Sequence, residues 1–395
     1  MTSGPMGTIC PSCRSDRVGL FYEAPSVPVN SVLLLPNRAQ ALAFPTGDIR
    51  LGLCEDCGFI YNASFDRRLV EYSTRCEETQ GFSPFFRSWH EGLAQRLIER
   101  YSLRAKKIVE IGCGKGEFLA LLCDLGDNRG IGFDPAYIPE RIAPESASRI
   151  KFVSDFYTEK DGGLNADFLC CKMTLEHVAD SADFVKMVQC SLRNSPEAYV
   201  FFQVPNVSRV LRDEAFWDIY YEHCSYFSAG SLAELFRRAG FEVLDVGLEY
   251  GDQYVTIEAR SGERASLPLA TEDDLEDLKN LVQGFATRVP QRIEEWRTRL
   301  KGYRERGLKT VVWGAGSKGV TFLSTLDAPG AVEFVVDINP NMSGHYLAKT
   351  GLEIVNPAFL HDYRPDVVIV MNPVYREEIV TELSNWGLRP EVISP

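Results

Sequence analysis

The sequence predicts an α/β protein in three parts with a doubly wound parallel sheet at its centre. Three observations carry that expectation. Lys107-Ile-Val-Glu-Ile-Gly-Cys-Gly-Lys-Gly-Glu-Phe-Leu119 reads as a buried strand, a glycine turn and a helix opening near Glu117. Near the C-terminus, Thr310-Val-Val-Trp-Gly-Ala-Gly-Ser-Lys-Gly319 repeats that design. Two C-x-x-C pairs, Cys10/Cys13 and Cys54/Cys57, bracket a strand-rich segment ahead of both.

Length and charge bound what such a chain does. At 395 residues it holds two or three domains, each large enough for its own core. A net charge of −13 with no basic stripe argues against a nucleic-acid partner. Residues 1–9 lack a charged-then-apolar leader, and the early apolar run Val32 to Leu35 is too short to cross a bilayer, so no membrane partner and a cytoplasmic location are expected. In that compartment the eleven cysteines should be reduced or metal-bound.

In chain order, residues 1–65 form a small metal-binding module. Val18 to Tyr22 and Ile49 to Leu53 read as strands that bring the cysteine pairs together. Cys10, Cys13, Cys54 and Cys57 then supply four thiolates to a structural zinc ion, with no open position for catalysis. Residues 66–104 are a bridge: Leu69 to Tyr72, a polar loop carrying Glu77, Glu78, Gln80 and Ser83, and a helix from about Pro84 to Arg100. Loops placed before the first strand of such a core can close over a site. Residues 105–262 form the core, 263–306 an amphipathic connector helix interrupted at Pro290, and 307–395 a second α/β unit.

The first glycine turn specifies its ligand by what stands beside it. Gly112, Gly114 and Gly116 let the backbone turn and leave room for a ligand, because no Cβ blocks the approach. The spacing is E-x-G-x-G-x-G rather than the dinucleotide G-x-G-x-x-G, and a carboxylate at Glu110 would repel phosphate but suit a cation. S-adenosylmethionine, with its sulfonium and ammonium groups, fits. The strand Gly130 to Phe133 ends in Asp134, placed for ribose hydroxyls, and Phe152-Val-Ser-Asp155 and Asp167 to His177 follow. The candidate cofactor residues are Glu110, Gly112, Cys113, Gly114, Gly116, Asp134 and Asp155. Together with Leu175-Glu-His-Val178, these elements resemble the class I methyltransferases, which implies a Rossmann-like core.

After the strand Ala198 to Pro205 comes Phe216-Trp-Asp-Ile-Tyr220-Tyr-Glu222-His223-Cys-Ser-Tyr226-Phe-Ser228, aromatic with polar tips, a composition suited to a polar ring. The helix Ala229 to Ala239 and the strands Phe241 to Val246 and Tyr254 to Ala259 complete the core. In the C-terminal unit, Gly314, Gly316 and Gly319 with Lys318 approximate a phosphate-binding turn, and strands at Glu333 to Asp337 and Val367 to Val370 follow.

In this order the modules resemble the sugar-nucleotide C-methyltransferases of deoxysugar biosynthesis. The resemblance implies a nucleotide-linked 4-keto sugar, dTDP-linked in the family, as the small-molecule partner. It also implies that the C-terminal unit holds the nucleotide sugar rather than NAD. By the same resemblance Glu222 and His223 are a catalytic pair, and Tyr72, His177 and Tyr220 line the sugar pocket. Chemically, a carbon beside a ketone needs a base before it attacks a methyl group. His223 is the expected base, oriented by Glu222, with Tyr220, Tyr221 or Tyr226 donating to the enolate oxygen and His177 as a second candidate. One departure from the family stands out: Tyr72-Ser-Thr-Arg-Cys-Glu-Glu-Thr-Gln80 replaces an expected tyrosine- and serine-rich loop, with His90 only loosely placed. This leaves a different acceptor open, as it does an O- or N-methyltransferase of a natural product, a non-catalytic S-adenosylmethionine-binding protein, and an NAD-dependent oxidoreductase. Monomer and homodimer are both compatible with the sequence.

Overall fold

A computed structural model describes residues 9–163, 165–261 and 267–395. The leader-free stretch expected at the N-terminus, apart from Ile9, and the expected core–connector junction at 262–266 lie outside the described residues.

In the N-terminal module β1 (Val18–Pro28) pairs antiparallel with β2 (Thr46–Cys54), Val18 facing Cys54, and β2 pairs with β3 (Ile60–Asn62). This register carries the second cysteine pair to the first, as the strand pattern predicts. The core begins with β4 (Lys107–Ile111), β5 (Arg129–Phe133), β6 (Ile150–Val153), β7 (Phe168–Lys172) and β8 (Tyr199–Pro205), all parallel. β9 (Ser225–Tyr226) leaves this sheet and becomes the fourth strand of the N-terminal one, Tyr226 facing Ile60. β10 (Phe241–Glu249) and β11 (Tyr254–Ser261) return as an antiparallel hairpin on β8. The order β10-β11-β8-β7-β4-β5-β6 reverses direction between β7 and β4, and the crevice beyond the carboxyl ends at such a point is where open α/β sheets bind ligands.

The C-terminal unit is a five-stranded parallel sheet, β12 (Thr310–Trp313), β13 (Phe334–Val336), β14 (Glu353–Val355), β15 (Val367–Val370) and β16 (Glu391–Ile393), in the order β14-β13-β12-β15-β16. β14 and β16 escape the sequence reading because each offers only two apolar residues behind a glutamate, too short a run to mark a strand.

Two expectations change. The connector helix Leu275–Glu305 runs uninterrupted through Pro290. Val282, Phe285 and Val289 on one side, and Trp296 and Leu300 on the other, are buried on one face, while Pro290 is exposed. Packing of that face holds the helix, and the hydrogen bond the proline cannot donate is lost on the solvent side. The parts also share a core in addition to clusters of their own, such as the one around Val311, Val368 and Leu383 in the last unit. One apolar cluster joins Val27 and Ile49 of the first sheet, Phe216, Trp217 and Tyr221 of the aromatic stretch, Phe285 and Trp296 of the connector, and Phe322 and Val335 of the last unit. A module of some sixty residues buries a comparatively small fraction of its surface and is marginal by itself, and here it packs on its neighbours.

Candidate active site

A cavity of about 960 Å³ opens where the N-terminal segment, the core and the C-terminal unit meet, beyond the carboxyl ends of β4, β7 and β12. At one end lies the first glycine turn. Gly112, Gly114 and Gly116 have φ of 68°, 54° and 88°, the left-handed region that glycine tolerates best. A Cβ on Gly112 would lie 1.9 Å from Thr174 Oγ1, so the turn is held against the end of β7. Asp134 accepts from the amides of Gly114 (2.8 Å) and Ala136 (2.7 Å), fixing the turn after β5 beside the turn after β4. Glu110 is 2% exposed, and its Oε2 has no partner. Burial pushes its carboxyl up to about 7, although Lys172 pulls the other way. A carboxylate left bare in a cavity calls for a cationic ligand. Cys113 lines the turn, with its thiol also raised by burial. Asp155 stands apart: it is exposed, its carboxylate accepts from the Phe156 amide beside it, and it is Phe156 and Tyr157 that face the cavity.

The polar loop expected to act as a lid does lie over this end. Tyr72, Glu77, Glu78, Gln80 and Ser83 all line the cavity. Lys115, inside the glycine turn, is 3% exposed and donates to the carbonyls of Cys76 (2.8 Å) in the loop and Ala136 (2.7 Å), tying the three together. Tyr375 OH donates to Gln80 Oε1 (3.0 Å), and Ser83 Oγ to Glu378 (3.1 Å), so the C-terminal unit grips the same loop.

Deeper in, the aromatic stretch and the end of β7 form a histidine pocket. Tyr72 OH lies 3.0 Å from His177 Nδ1, which is also 3.1 Å from the Glu222 carbonyl. The His177 and His223 rings meet edge to face at 4.7 Å, and Tyr220 packs on His223 at 4.6 Å. Burial, then the neighbouring His177 and Lys318, hold His223 well below the usual imidazole range; burial brings His177 down to about 4. The Glu222 carboxylate does not orient His223, as the adjacent positions suggested: it accepts from the Ser31 amide (3.0 Å) and hydroxyl, and burial raises it to about 7. The tyrosine hydroxyls are committed as well. Tyr220 donates to Asp218 (2.7 Å), Tyr226 to the Tyr220 carbonyl (3.1 Å), and Tyr221 accepts from the Asp66 amide (2.9 Å). Of these three, only Tyr220 lines the cavity.

The second glycine turn closes the far end. Asp337 accepts from the amides of Ala315 (2.8 Å) and Asn339 (2.9 Å), repeating the arrangement of Asp134. Lys318 reaches across to Asp218, which Arg209 also approaches at 3.3 Å. Burial pushes the Asp218 carboxyl up, and the two cations outweigh it and hold it below its ordinary value. Sequence reasoning missed Asp218, Arg209, Lys115 and Lys172. Lys172, half-buried beside His90 and over the Phe118 ring at 3.9 Å, had one signal, a lysine closing the apolar strand Phe168–Lys172.

Away from the cavity, the sulfurs of Cys10, Cys13, Cys54 and Cys57 all lie within 4.8 Å of one another, with Cys10–Cys57 at 3.7 Å and Cys13–Cys54 at 3.5 Å. A tetrahedral ion with bonds of about 2.3 Å places its sulfurs about 3.8 Å apart, whereas a disulfide brings them to about 2.05 Å. The cluster has the size of an ion cage.

Residues 86–246 match the family model described as a methyltransferase domain, and residues 259–389 match that of the C-methyltransferase C-terminal domain. Over 306 residues the chain is 24% identical to the C-methyltransferase NovU of Streptomyces niveus, spanning 73% of this chain and 71% of that protein. Among solved structures it is similar to the 1,6-didemethyltoxoflavin-N1-methyltransferase of Burkholderia thailandensis with bound S-adenosylhomocysteine, at 21% identity over 45% of this chain and 86% of that one, with a TM-score of 0.36. A SAM-dependent methyltransferase of Aquifex aeolicus is similar at 15% identity over 42% and 88%, with a TM-score of 0.33.

Proposed function

We propose that this S-adenosylmethionine-dependent C-methyltransferase methylates the carbon beside the ketone of a nucleotide-linked keto sugar, dTDP-linked as in the family it resembles. One observation carries the reading: a single cavity runs from the carboxylate-flanked glycine turn, past two histidines and a tyrosine, to a second glycine turn with a lysine and an arginine beside it. The first end suits a cation. The far end suits a phosphate-bearing ligand, and the middle suits a polar ring.

The cofactor supplies an electrophilic methyl group, held through Glu110, the Gly112 to Gly116 turn and Asp134. His223 takes the proton from the carbon beside the ketone: it lines the cavity, its buried Nδ1 has no hydrogen-bond partner, and its ring packs against those of His177 and Tyr220. Tyr72 takes over the role first assigned to the tyrosines of the aromatic stretch and donates to the enolate oxygen, with His177 holding its hydroxyl in place. Glu222 is a positioning residue. Through Ser31, which lies 2.7 Å from Ser317, it links the histidine pocket to the second glycine turn. Lys318 and Arg209 offer charge to the diphosphate. The four cysteines hold a structural zinc ion that fixes the sheet to which β9 belongs, and so the stretch that carries His223.

Incubation with S-adenosylmethionine labelled with ¹³C in its methyl group and a panel of dTDP-keto sugars tests this directly. A labelled methyl resonance coupled to a quaternary or methine sugar carbon is expected. Methyl transfer that succeeds only with acceptors lacking a nucleotide would overturn the acceptor.

A further inference from the structure

In the histidine pocket, one carboxylate oxygen of Glu176 and one nitrogen each of His177 and His223 lie within 4.8 Å of one another. Glu176 is 1% exposed, and neither of its carboxylate oxygens has a hydrogen-bond partner. Nor does any lysine or arginine among the described residues pair with it. An ionised carboxylate left so is costly, and protonating it only exchanges a bare charge for a hydroxyl with no acceptor. His223 Nδ1 in the same pocket is equally bare. A single cation among the three side chains would satisfy both the bare Glu176 carboxylate and the bare His223 nitrogen.

We propose that Glu176, His177 and His223 form a second metal site, distinct from the cysteine cage, that takes a divalent transition-metal ion such as Zn²⁺. Two imidazoles and one carboxylate suit borderline divalent ions and do not suit the all-oxygen preferences of Ca²⁺ or Mg²⁺. His177 is already held as a ligand needs to be: the Glu222 carbonyl and Tyr72 hydroxyl engage Nδ1 and leave Nε2 for an ion. The cysteine cage has four protein ligands and is closed. The second site has three, from residues that all line the cavity, so the protein leaves its coordination incomplete.

The inference shares His223 with the proposed reaction but does not depend on the acceptor. Coordination occupies a nitrogen lone pair of His223, so a bound ion and proton abstraction by that nitrogen exclude one another. An ion held by Nδ1, the nitrogen assigned to proton abstraction, therefore inhibits transfer.

The test is equilibrium dialysis of the full chain against Zn²⁺ alone, without methyl donor or acceptor, with zinc per chain counted by elemental analysis. Two equivalents are expected for the wild type and one for Glu176→Gln and for His223→Ala, with the cysteine-bound ion retained in each. Glu176→Gln removes a buried charge and is expected to melt no lower than the wild type, which separates lost ligation from lost fold. One equivalent in the wild type, or two in both variants, overturns the site. Because no turnover is measured, failure of the acceptor assignment leaves this result untouched.

Discussion

Replacing Lys318 with Met tests whether the C-terminal unit takes part in the site. The substitution keeps the apolar stem and removes the charge that faces Asp218, in a pair whose side chains are 21% and 8% exposed. Removing one partner of a buried ion pair costs about 3–5 kcal/mol when nothing else compensates. Here Arg209 stays at 3.3 Å and the Tyr220 hydroxyl at 2.7 Å, so a loss of about 1–2 kcal/mol is expected after allowing for them and for partial solvent screening. At about 2.1 cal/mol/K per residue, the unfolding entropy of a chain this long is about 0.8 kcal/mol/K, and the melting temperature should fall by about 1–3 °C. Binding should suffer more than stability. Loss of one charge-assisted hydrogen bond to phosphate, about 1.5–3 kcal/mol, weakens dTDP about tenfold to a hundredfold, while S-adenosylhomocysteine affinity is unchanged. Differential scanning fluorimetry and calorimetry read the two effects. An unchanged dTDP affinity together with an unchanged melting temperature would refute the reasoning, because Asp218 would then need no cation from the C-terminal unit.

Four further outcomes follow from the same geometry. His223→Ala should cut methyl transfer by about 10²–10⁴-fold and leave S-adenosylhomocysteine binding nearly intact; turnover at the wild-type rate would remove His223 as the base. Gly112→Ala places a Cβ 1.9 Å from Thr174 Oγ1 at φ 68°, so cofactor affinity should collapse, with a left-handed backbone penalty of about 1 kcal/mol adding to the clash. Glu110 has its carboxyl raised to about 7 and serves a cationic ligand in its ionised form, so cofactor affinity should rise with pH from about 6 to 8, by up to about tenfold per unit below pH 7, and Glu110→Gln should flatten that rise. For stability the sign is reversed: burial disfavours the ionised form, so the Glu110 contribution falls as pH rises from about 4.5 to 7. Cys54→Ser should lose the cysteine-bound ion and lower activity as well as melting temperature, because β3 of that sheet pairs with β9, two residues after His223; full activity without the ion would separate the sheet from the site.

What was legible in the sequence follows a physical pattern. The two glycine turns, the cysteine cage and the strands of the core were readable because each is local: a handful of adjacent residues fixes the backbone, and the apolar run around Ile108 or Val367 needs no distant partner to declare itself. The aromatic stretch announced a pocket because Tyr220, Glu222 and His223 are polar tips on apolar bodies in one short segment. What remained hidden depends on pairs far apart in the chain. Glu222 looked like a partner for His223 because it is adjacent, but the chain bends at Glu222 and its carboxylate meets Ser31, 191 positions away. Asp218 reads as an ordinary loop acid until Lys318 arrives from the other unit. Pro290 was over-read as a break because the sequence shows the lost donor but not the buried face that outweighs it.

The central claim is that the cavity between the two glycine turns receives a nucleotide-linked acceptor, and calorimetric titration of dTDP into the protein saturated with S-adenosylhomocysteine tests it most directly. Saturable binding at one site per chain, weakened by Lys318→Met and indifferent to His223→Ala, is the predicted result. No heat of binding, with S-adenosylhomocysteine still bound, would contradict the account and leave a methyltransferase whose acceptor carries no nucleotide.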